Sequence, residues 1–309
     1  MSTFFKLIRV QNLAFIALTQ FLFRYCIFLP LTNQSPISPL FSNFDFIILM
    51  LSTIIVAAGG YAINDYFDVH IDKVNKPLKV IIGKKMLRRH AVTTHSVLTI
   101  IAIVLGAYVS FEVGSIMLVF FNIIMCTLLW LYSARYKASF LLGNIIVSFS
   151  SAATIFVVWL FEMYALKSSE LMDTANLTLL NFFLCCYVIF AFIISLIREI
   201  VKDAEDIEGD KKGGCRTLPI VWGYSKTKKV LFLLIGFAII ALSFLSYLSY
   251  VYNLKIVFWY VNITLILALI YTTYVIYVAK NKDDYTFLSG LLKFIMFAGI
   301  FSMALVTNW

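Results

Sequence analysis

Sixteen Asp and Glu residues are few for a chain of 309, and their placement is uneven. Asp65, Asp68 and Asp72 share one short segment, and Glu199, Asp203, Glu205, Asp206, Glu208 and Asp210 share another. In each segment three aspartates recur at i, i+3 and i+7. At about 100° per residue such a trio lies on one face of a helix. Glu199, one turn ahead of Asp203, joins the second face, while Glu205 and Glu208 point away. Stacked like charges repel, so each trio calls for a counter-cation. Oxygen donors with no nearby His or Cys cluster favour Mg²⁺ or Mn²⁺ over zinc or copper. Magnesium takes one or two protein carboxylates and completes its shell with water and phosphate oxygens, so two facing acidic helix ends describe a diphosphate site. The bland reading makes them solvated helix ends whose acids pair with Lys73, Lys202 or Lys211. Against it stands the repetition: the same spacing occurs twice, each time after an apolar segment and on the same side.

The segments that position these acids are membrane spans. The chain is 62% hydrophobic and 13% charged, which excludes a soluble fold, and its low Pro and Gly content excludes a disordered or linker-rich one. With roughly 20 apolar residues per crossing, nine spans are predicted, at 12–29, 43–63, 91–111, 114–134, 140–162, 177–197, 229–250, 256–279 and 286–306. Of 25 Lys and Arg, 21 fall on one side of that arrangement. The asymmetry puts the N-terminus and the acidic segments in the cytoplasm and the C-terminus outside. The expectation is an all-α polytopic protein of the cell inner membrane or its equivalent, one domain over residues 1–309, with the two Asp-rich helix ends facing a central cavity. Its net charge of +9 is explained by topology, so nucleic acid is not expected as a partner. Four of the five cysteines lie in apolar runs and no C-x-x-C pair occurs, which argues against a disulfide framework or zinc site. The first apolar segment lacks a small-residue cleavage site and reads as a retained span. Trp130, Tyr132, Trp159, Trp259 and Trp309 fit interfacial anchoring. Arg24 and Lys293 fall inside spans; Arg24 is expected to snorkel or to pair within the bundle. Asp45, Glu112 and Glu162 lie near span ends, and His70, His90 and His95 read as ordinary interfacial residues.

The stretches N-D-Y-F-D-V-H-I-D at 64–72 and D-A-E-D-I-E-G-D at 203–210, followed by R-T-L-P at 216–219, resemble the UbiA superfamily of intramembrane prenyltransferases. The resemblance covers nearly the whole chain. It implies transfer of a prenyl group from a prenyl diphosphate to an acceptor, with Mg²⁺ held between the two motifs. Asn64 and Asp68 of the first motif and Asp206 and Asp210 of the second match the positions that family members use around the metals, with Asp68, Asp206 and Asp210 as the catalytic acids. Asp65, Asp72, Glu199 and Asp203 stand behind them or serve as alternate ligands. The segment L-Y-S-A-R-Y-K resembles the family's tyrosine-plus-basic loop, which makes Tyr132, Arg135 and Lys137, together with Lys202, candidates to face the diphosphate. Arg9-Val10-Gln11-Asn12 resembles an R-P-x-N element on the acceptor side without its proline, so Arg9 and Asn12 are candidate acceptor contacts. Leu78-Lys79-Val80-Ile81-Ile82-Gly83 departs from the family's R-P-x-x-x-G.

Breaking an allylic C–O bond leaves a delocalised cation and a diphosphate anion. Metal ions with Arg and Lys stabilise the charge on the leaving oxygens, and a dry apolar channel shields the cation from water. The stretch from Arg198 to Asp210 is most similar to members that alkylate geranylgeranylglyceryl phosphate. A phosphorylated acceptor would favour further basic contacts, for which Lys79, Lys84, Lys85, Arg88 and Arg89 are available. The alternative acceptor is an aromatic acid, 4-hydroxybenzoate or a naphthoate. A distant alternative is a cation transporter, but transporter acids lie near the bilayer midplane, whereas these cluster at its edge.

Overall fold

The computed structural model describes residues 3–37, 39–75, 77, 80–167, 169–173 and 175–308. Lys79 and Trp309 lie outside them. Among the described residues nine helices are long and apolar enough to cross a membrane: α1 Val10–Leu31, α2 Asn43–Phe67, α3 Arg88–Glu112, α4 Ile116–Ala134, α5 Leu142–Lys167, α6 Leu177–Glu205, α7 Leu218–Val251, α8 Lys255–Val278 and α9 Lys282–Val306. They correspond one to one with the nine expected spans. Among the described residues, only an isolated bridge between Ile82 and Met86 departs from this helical pattern toward extended pairing. The break between α3 and α4 is set by Gly114 at φ +79°, a conformation that costs glycine little. Ser115 N–H closes the turn on Ser110 C=O at 2.9 Å.

Several helices outrun their apolar cores. Helix α9 starts at Lys282 because Asn281 and Asp284 form a reciprocal capping box. Helix α7 starts at Leu218, behind Pro219, and bends at Gly223, whose φ of 74° interrupts the helix. Helices α2 and α6 continue into the acidic segments, so Asn64 and Asp65 lie in the last turn of α2, and Glu199 and Asp203 lie inside α6. Hydropathy alone ends a span where charge begins, but a helix continues until its backbone is capped or broken.

The chain divides into two compact units, Met1–Lys137 with Ala153–Cys185, and Ala138–Ala152 with Cys186–Trp309. In the first, α2 packs along α3 and α4 around a polar knot. Ser52 Oγ donates to Ala102 C=O at 2.8 Å, and Asn122 Nδ2 donates to Ser52 Oγ at 2.6 Å and to the same carbonyl at 3.1 Å. The approach needs Gly106, where an added Cβ would meet Asn122 Nδ2 at 2.1 Å. In a membrane, such small-residue contacts and interhelical hydrogen bonds hold helices together where no hydrophobic force can. In the same unit Arg24 of α1 pairs with Glu162 of α5, both side chains fully buried. Its guanidinium also donates to Phe41 C=O and, at 2.8 Å, to Asn43 Oδ1, and lies 4.5 Å from the Phe46 ring centroid. Arg24 therefore pairs inside the bundle rather than snorkelling. Glu162 is its partner and not an ordinary span-end acid.

In the second unit Ile193, Ile194, Ile197, Ile200 and Val201 of α6 pack with Leu231 and Ile235 of α7, Leu269 and Ile276 of α8, and Leu288, Leu292 and Ile295 of α9. Glu205 Oε1 at the end of α6 accepts a 3.0 Å hydrogen bond from Thr286 Oγ1 in the first turn of α9. The two helices thus bring their acidic-segment ends together.

Candidate functional site

Both acidic motifs have the same backbone design. Helix α2 ends at Phe67, Asp68 is its C-cap at φ −80° and ψ −3°, and a short helix, Val69–Asn75, follows. Helix α6 ends at Glu205, Asp206 stands at φ −98° and ψ 10°, and a short helix, Ile207–Lys212, follows. The middle aspartate of each trio is therefore a hinge rather than a residue of one uninterrupted helix. The i, i+4 amide bonds continue through both hinges. Asp68 N–H bonds Asn64 C=O and Asp72 N–H bonds Asp68 C=O, at 2.9 and 2.8 Å; Asp206 N–H bonds Lys202 C=O and Asp210 N–H bonds Asp206 C=O, at 2.9 and 3.1 Å. Each trio keeps its common face.

In the first motif Arg9, at the start of α1, donates from Nη2 to Asp65 Oδ1 at 2.7 Å and lies 4.9 Å from the Tyr61 ring centroid. Desolvation works against the Arg9 charge, but Asp65, then Tyr61 and Asp68, more than offset it and raise its pKa above the ordinary arginine value. Arg9 has a φ of 52°, a strained conformation for a residue with a Cβ, and the Asp65 pair helps to hold it. Asp68 is buried, accepts from Asn64 Nδ2 at 2.6 Å and pairs with Lys137 Nζ. The other oxygen of the same amide, Asn64 Oδ1, is buried without a hydrogen-bond partner. Asp72 is partly exposed on the short helix, and Asn12 lies in the first turn of α1, its N–H bonded to Arg9 C=O at 2.8 Å. Tyr132 is half-buried in the last turn of α4, and Arg135 is exposed just beyond it. Of the neighbouring basic residues, Lys84 Nζ donates to Pro77 C=O at 2.9 Å and Arg88 lies 5.1 Å from the Tyr66 ring centroid.

In the second motif Lys202 Nζ bonds both oxygens of Glu199, at 2.9 and 3.0 Å, and Arg198 Nη1 reaches Glu199 Oε1 at 3.2 Å. Asp203 Oδ2 accepts from Asn144 Nδ2 at 2.8 Å. Asp210 is buried, and its carbonyl accepts from Cys215 N–H at 2.9 Å. Asn144 was not singled out as a candidate in the sequence, where an amide near the start of an apolar span is visible but its burial and its partner are not. Tyr61, the aromatic partner of Arg9, carries no such signal, because tyrosines are common in these spans.

Arg9, Lys137 and Lys202 thus stand on acids of the two motifs. Among the described residues no group of three or more His, Cys, Asp and Glu converges closely enough to hold a metal ion unaided. The donor set still suits magnesium. Asn64 Oδ1 is an unsatisfied hard oxygen beside the buried Asp68 carboxylate, and magnesium completes its shell from water and phosphate rather than from a protein cage.

The family model described as UbiA prenyltransferase family matches residues 22–300. The digeranylgeranylglyceryl phosphate synthase of Methanosphaera stadtmanae is 32% identical over 265 residues, covering 85% of this chain and 88% of that protein. The protein of the same name from Methanococcoides burtonii is 31% identical over 303 residues and 98% of both chains. Among solved structures, a digeranylgeranylglyceryl phosphate synthase superposes with a TM-score of 0.62 at 25% identity over 98% of both chains. A UbiA homologue from Archaeoglobus fulgidus bound to DMAPP and Mg²⁺ shares the fold, with a TM-score of 0.59 at 16% identity over 97% of this chain and 99% of that one. With a family model matching residues 22–300 and relatives 31–32% identical over 85–98% of its length, the chain belongs to the UbiA prenyltransferase family.

Proposed function

We propose that this integral membrane protein transfers a geranylgeranyl group from its diphosphate to the free hydroxyl of geranylgeranylglyceryl phosphate, with Mg²⁺ as cofactor. The observation that carries the reading is its end-to-end likeness to proteins named digeranylgeranylglyceryl phosphate synthase, joined to the two equivalent Asp hinges. The match over residues 22–300 supports one prenyltransferase domain. Asn64, Asp65, Asp68 and Asp72 of one motif and Glu199, Asp203, Asp206 and Asp210 of the other are the residues that would hold the metal. Bound there, Mg²⁺ neutralises charge on the diphosphate oxygens as the allylic C–O bond weakens.

The side chains do the rest. Lys137, Lys202, Arg135 and Tyr132 bind the diphosphate and stabilise it as it leaves, taking negative charge in exchange for the carboxylates that two of them now contact. The apolar spans receive the hydrocarbon tail and keep water from the allylic cation. Arg9 and Asn12 orient the acceptor near the first motif. The acceptor oxygen forms the new ether bond as the C–O bond to diphosphate breaks, and its proton is released. The bias of Lys and Arg to one side supports a cytoplasmic N-terminus and site and an external C-terminus.

The reading is tested with the protein in nanodiscs, labelled geranylgeranyl diphosphate and Mg²⁺, offering geranylgeranylglyceryl phosphate and 4-hydroxybenzoate side by side. Product on the glyceryl phosphate alone is the expected result. Product on the aromatic acid alone overturns the acceptor assignment and leaves the prenyl transfer.

A further inference from the structure

The end of α3 beside the first motif carries more positive charge than its contacts use. Between Asp72 and Glu112 the chain holds seven Lys and Arg and no Asp or Glu. Of those in and just ahead of the first turn of α3, Lys84 donates to Pro77 C=O and Arg88 lies over the Tyr66 ring. Lys85 and Arg89 are exposed, and among the described residues neither pairs with an acid.

An open groove of about 380 Å³ begins at the same place, lined by Phe4, His90, Thr93, Thr94, Val97 and Leu98. One wall is the short N-terminal helix Thr3–Leu7 and the other is α3. On α3, His90, Thr94, Val97, Ile101 and Val104 recur at i, i+4, i+7, i+11 and i+14, which is one helical face. That face is polar in its first two turns and apolar below them, where Ile101 and Val104 are exposed. The N-terminal helix, 5 residues long, is too short to hold itself. Leu7 anchors it against Ala62 and Ala91, while Phe4 and Phe5 stay exposed with their rings edge to face at 6.1 Å. Leu98 packs on Ile8 and Ala58 behind the groove. These buried residues stand between the groove and Asp65, and no described residue lining the groove belongs to either motif.

We propose that this groove binds an anionic phospholipid of the surrounding bilayer, its phosphate at Lys85, Arg89 and His90 and one chain along Val97, Ile101 and Val104. A basic cluster at the end of a span attracts anionic headgroups. Here the cluster meets a groove whose polarity changes along its length as a lipid's does. The bound chain covers the Phe4 ring and so holds the N-terminal helix, which ends two residues before Arg9 and its pair with Asp65.

Native mass spectrometry of the whole protein in detergent, titrated with phosphatidylglycerol or with zwitterionic phosphatidylcholine of the same chains, tests the site without turnover. Phosphatidylglycerol is expected to fill one saturable site and phosphatidylcholine to bind far more weakly. Lys85→Gln with Arg89→Gln weakens the site about 30-fold, the combined effect of two charges near a headgroup. Val97→Trp keeps every charge, fills the groove and removes the site. Lys211→Gln with Lys212→Gln, an exposed basic pair on the short helix of the other motif, leaves it unchanged. Equal binding of the two lipids overturns the proposal, as does wild-type binding in either the Lys85 and Arg89 variant or the Val97 variant. Equal weakening in the two charge-removal variants marks a diffuse attraction and overturns it as well. Tighter binding of geranylgeranylglyceryl phosphate than of phosphatidylglycerol assigns the groove to the acceptor, which also overturns it.

Discussion

At the scale of single residues the proposed chemistry depends on oxygen donors held in fixed orientation. Asp68 and Asp206 occupy equivalent hinges, so Asp68→Ala and Asp206→Ala are each expected to lower prenyl transfer by about 100-fold or more, the usual consequence of removing one preorganised electrostatic group. Chelation with EDTA is expected to abolish transfer and added Mg²⁺ to restore it. Asn64 acts differently, because its Nδ2 orients Asp68 while its Oδ1 has no partner. Asn64→Leu is expected to raise the Mg²⁺ concentration for half-maximal transfer by about tenfold, in the range seen when groups that orient metal ligands are lost. A titration of rate against Mg²⁺ separates that effect from simple inactivation.

At the scale of elements, stability rests on a few close polar contacts within apolar surroundings. Gly106→Ala drives a methyl group into Asn122 and disturbs its bonds to Ser52 and Ala102. It is expected to cost about 1–3 kcal/mol, the range for overpacking, and to lower the thermal midpoint in detergent. Glu162→Ala leaves Arg24 buried without its carboxylate, a loss of about 3–5 kcal/mol, whereas Arg24→Met with Glu162→Met removes both charges and recovers most of it. A thermal melt of the three variants checks the order. The elements themselves were legible from hydropathy and charge, including the short gap between the third and fourth spans. Their ends were less so. Apolar windows stopped short of the acidic motifs, because the polar last turns of α2 and α6 stay helical until a hinge intervenes. The hinges at Asp68 and Asp206 left no trace in a spacing argument, since an i, i+3, i+7 pattern is the same whether or not the helix bends through it. The acids were legible because so few exist. Lys137 was legible as a site residue, but its pairing with Asp68 and that of Asn144 with Asp203 were not, because contacts made far along the chain have no local signature.

At the scale of the whole molecule, the uneven distribution of Lys and Arg is the feature that supports the proposed cytoplasmic placement of the acidic motifs. A single cysteine placed in the short helix Ile207–Lys212 of a cysteine-free variant is expected to react with a membrane-impermeant maleimide only after the cytoplasmic side is opened. A cysteine at Lys255, at the start of α8, should react from outside in intact cells. The reverse pattern would invert the proposed orientation.

The Arg24–Glu162 pair also has a history in time. Its members lie 138 residues apart in the chain, so at about 5–20 residues per second the arginine is synthesised roughly 7–28 s before its partner. During that interval the first span enters the bilayer with a cation that lacks its carboxylate, at an insertion cost of up to about 2.5–3.5 kcal/mol near its centre. Phe41 and Asn43 offer early acceptors, and the fifth span later supplies the one carboxylate that balances the charge of the first.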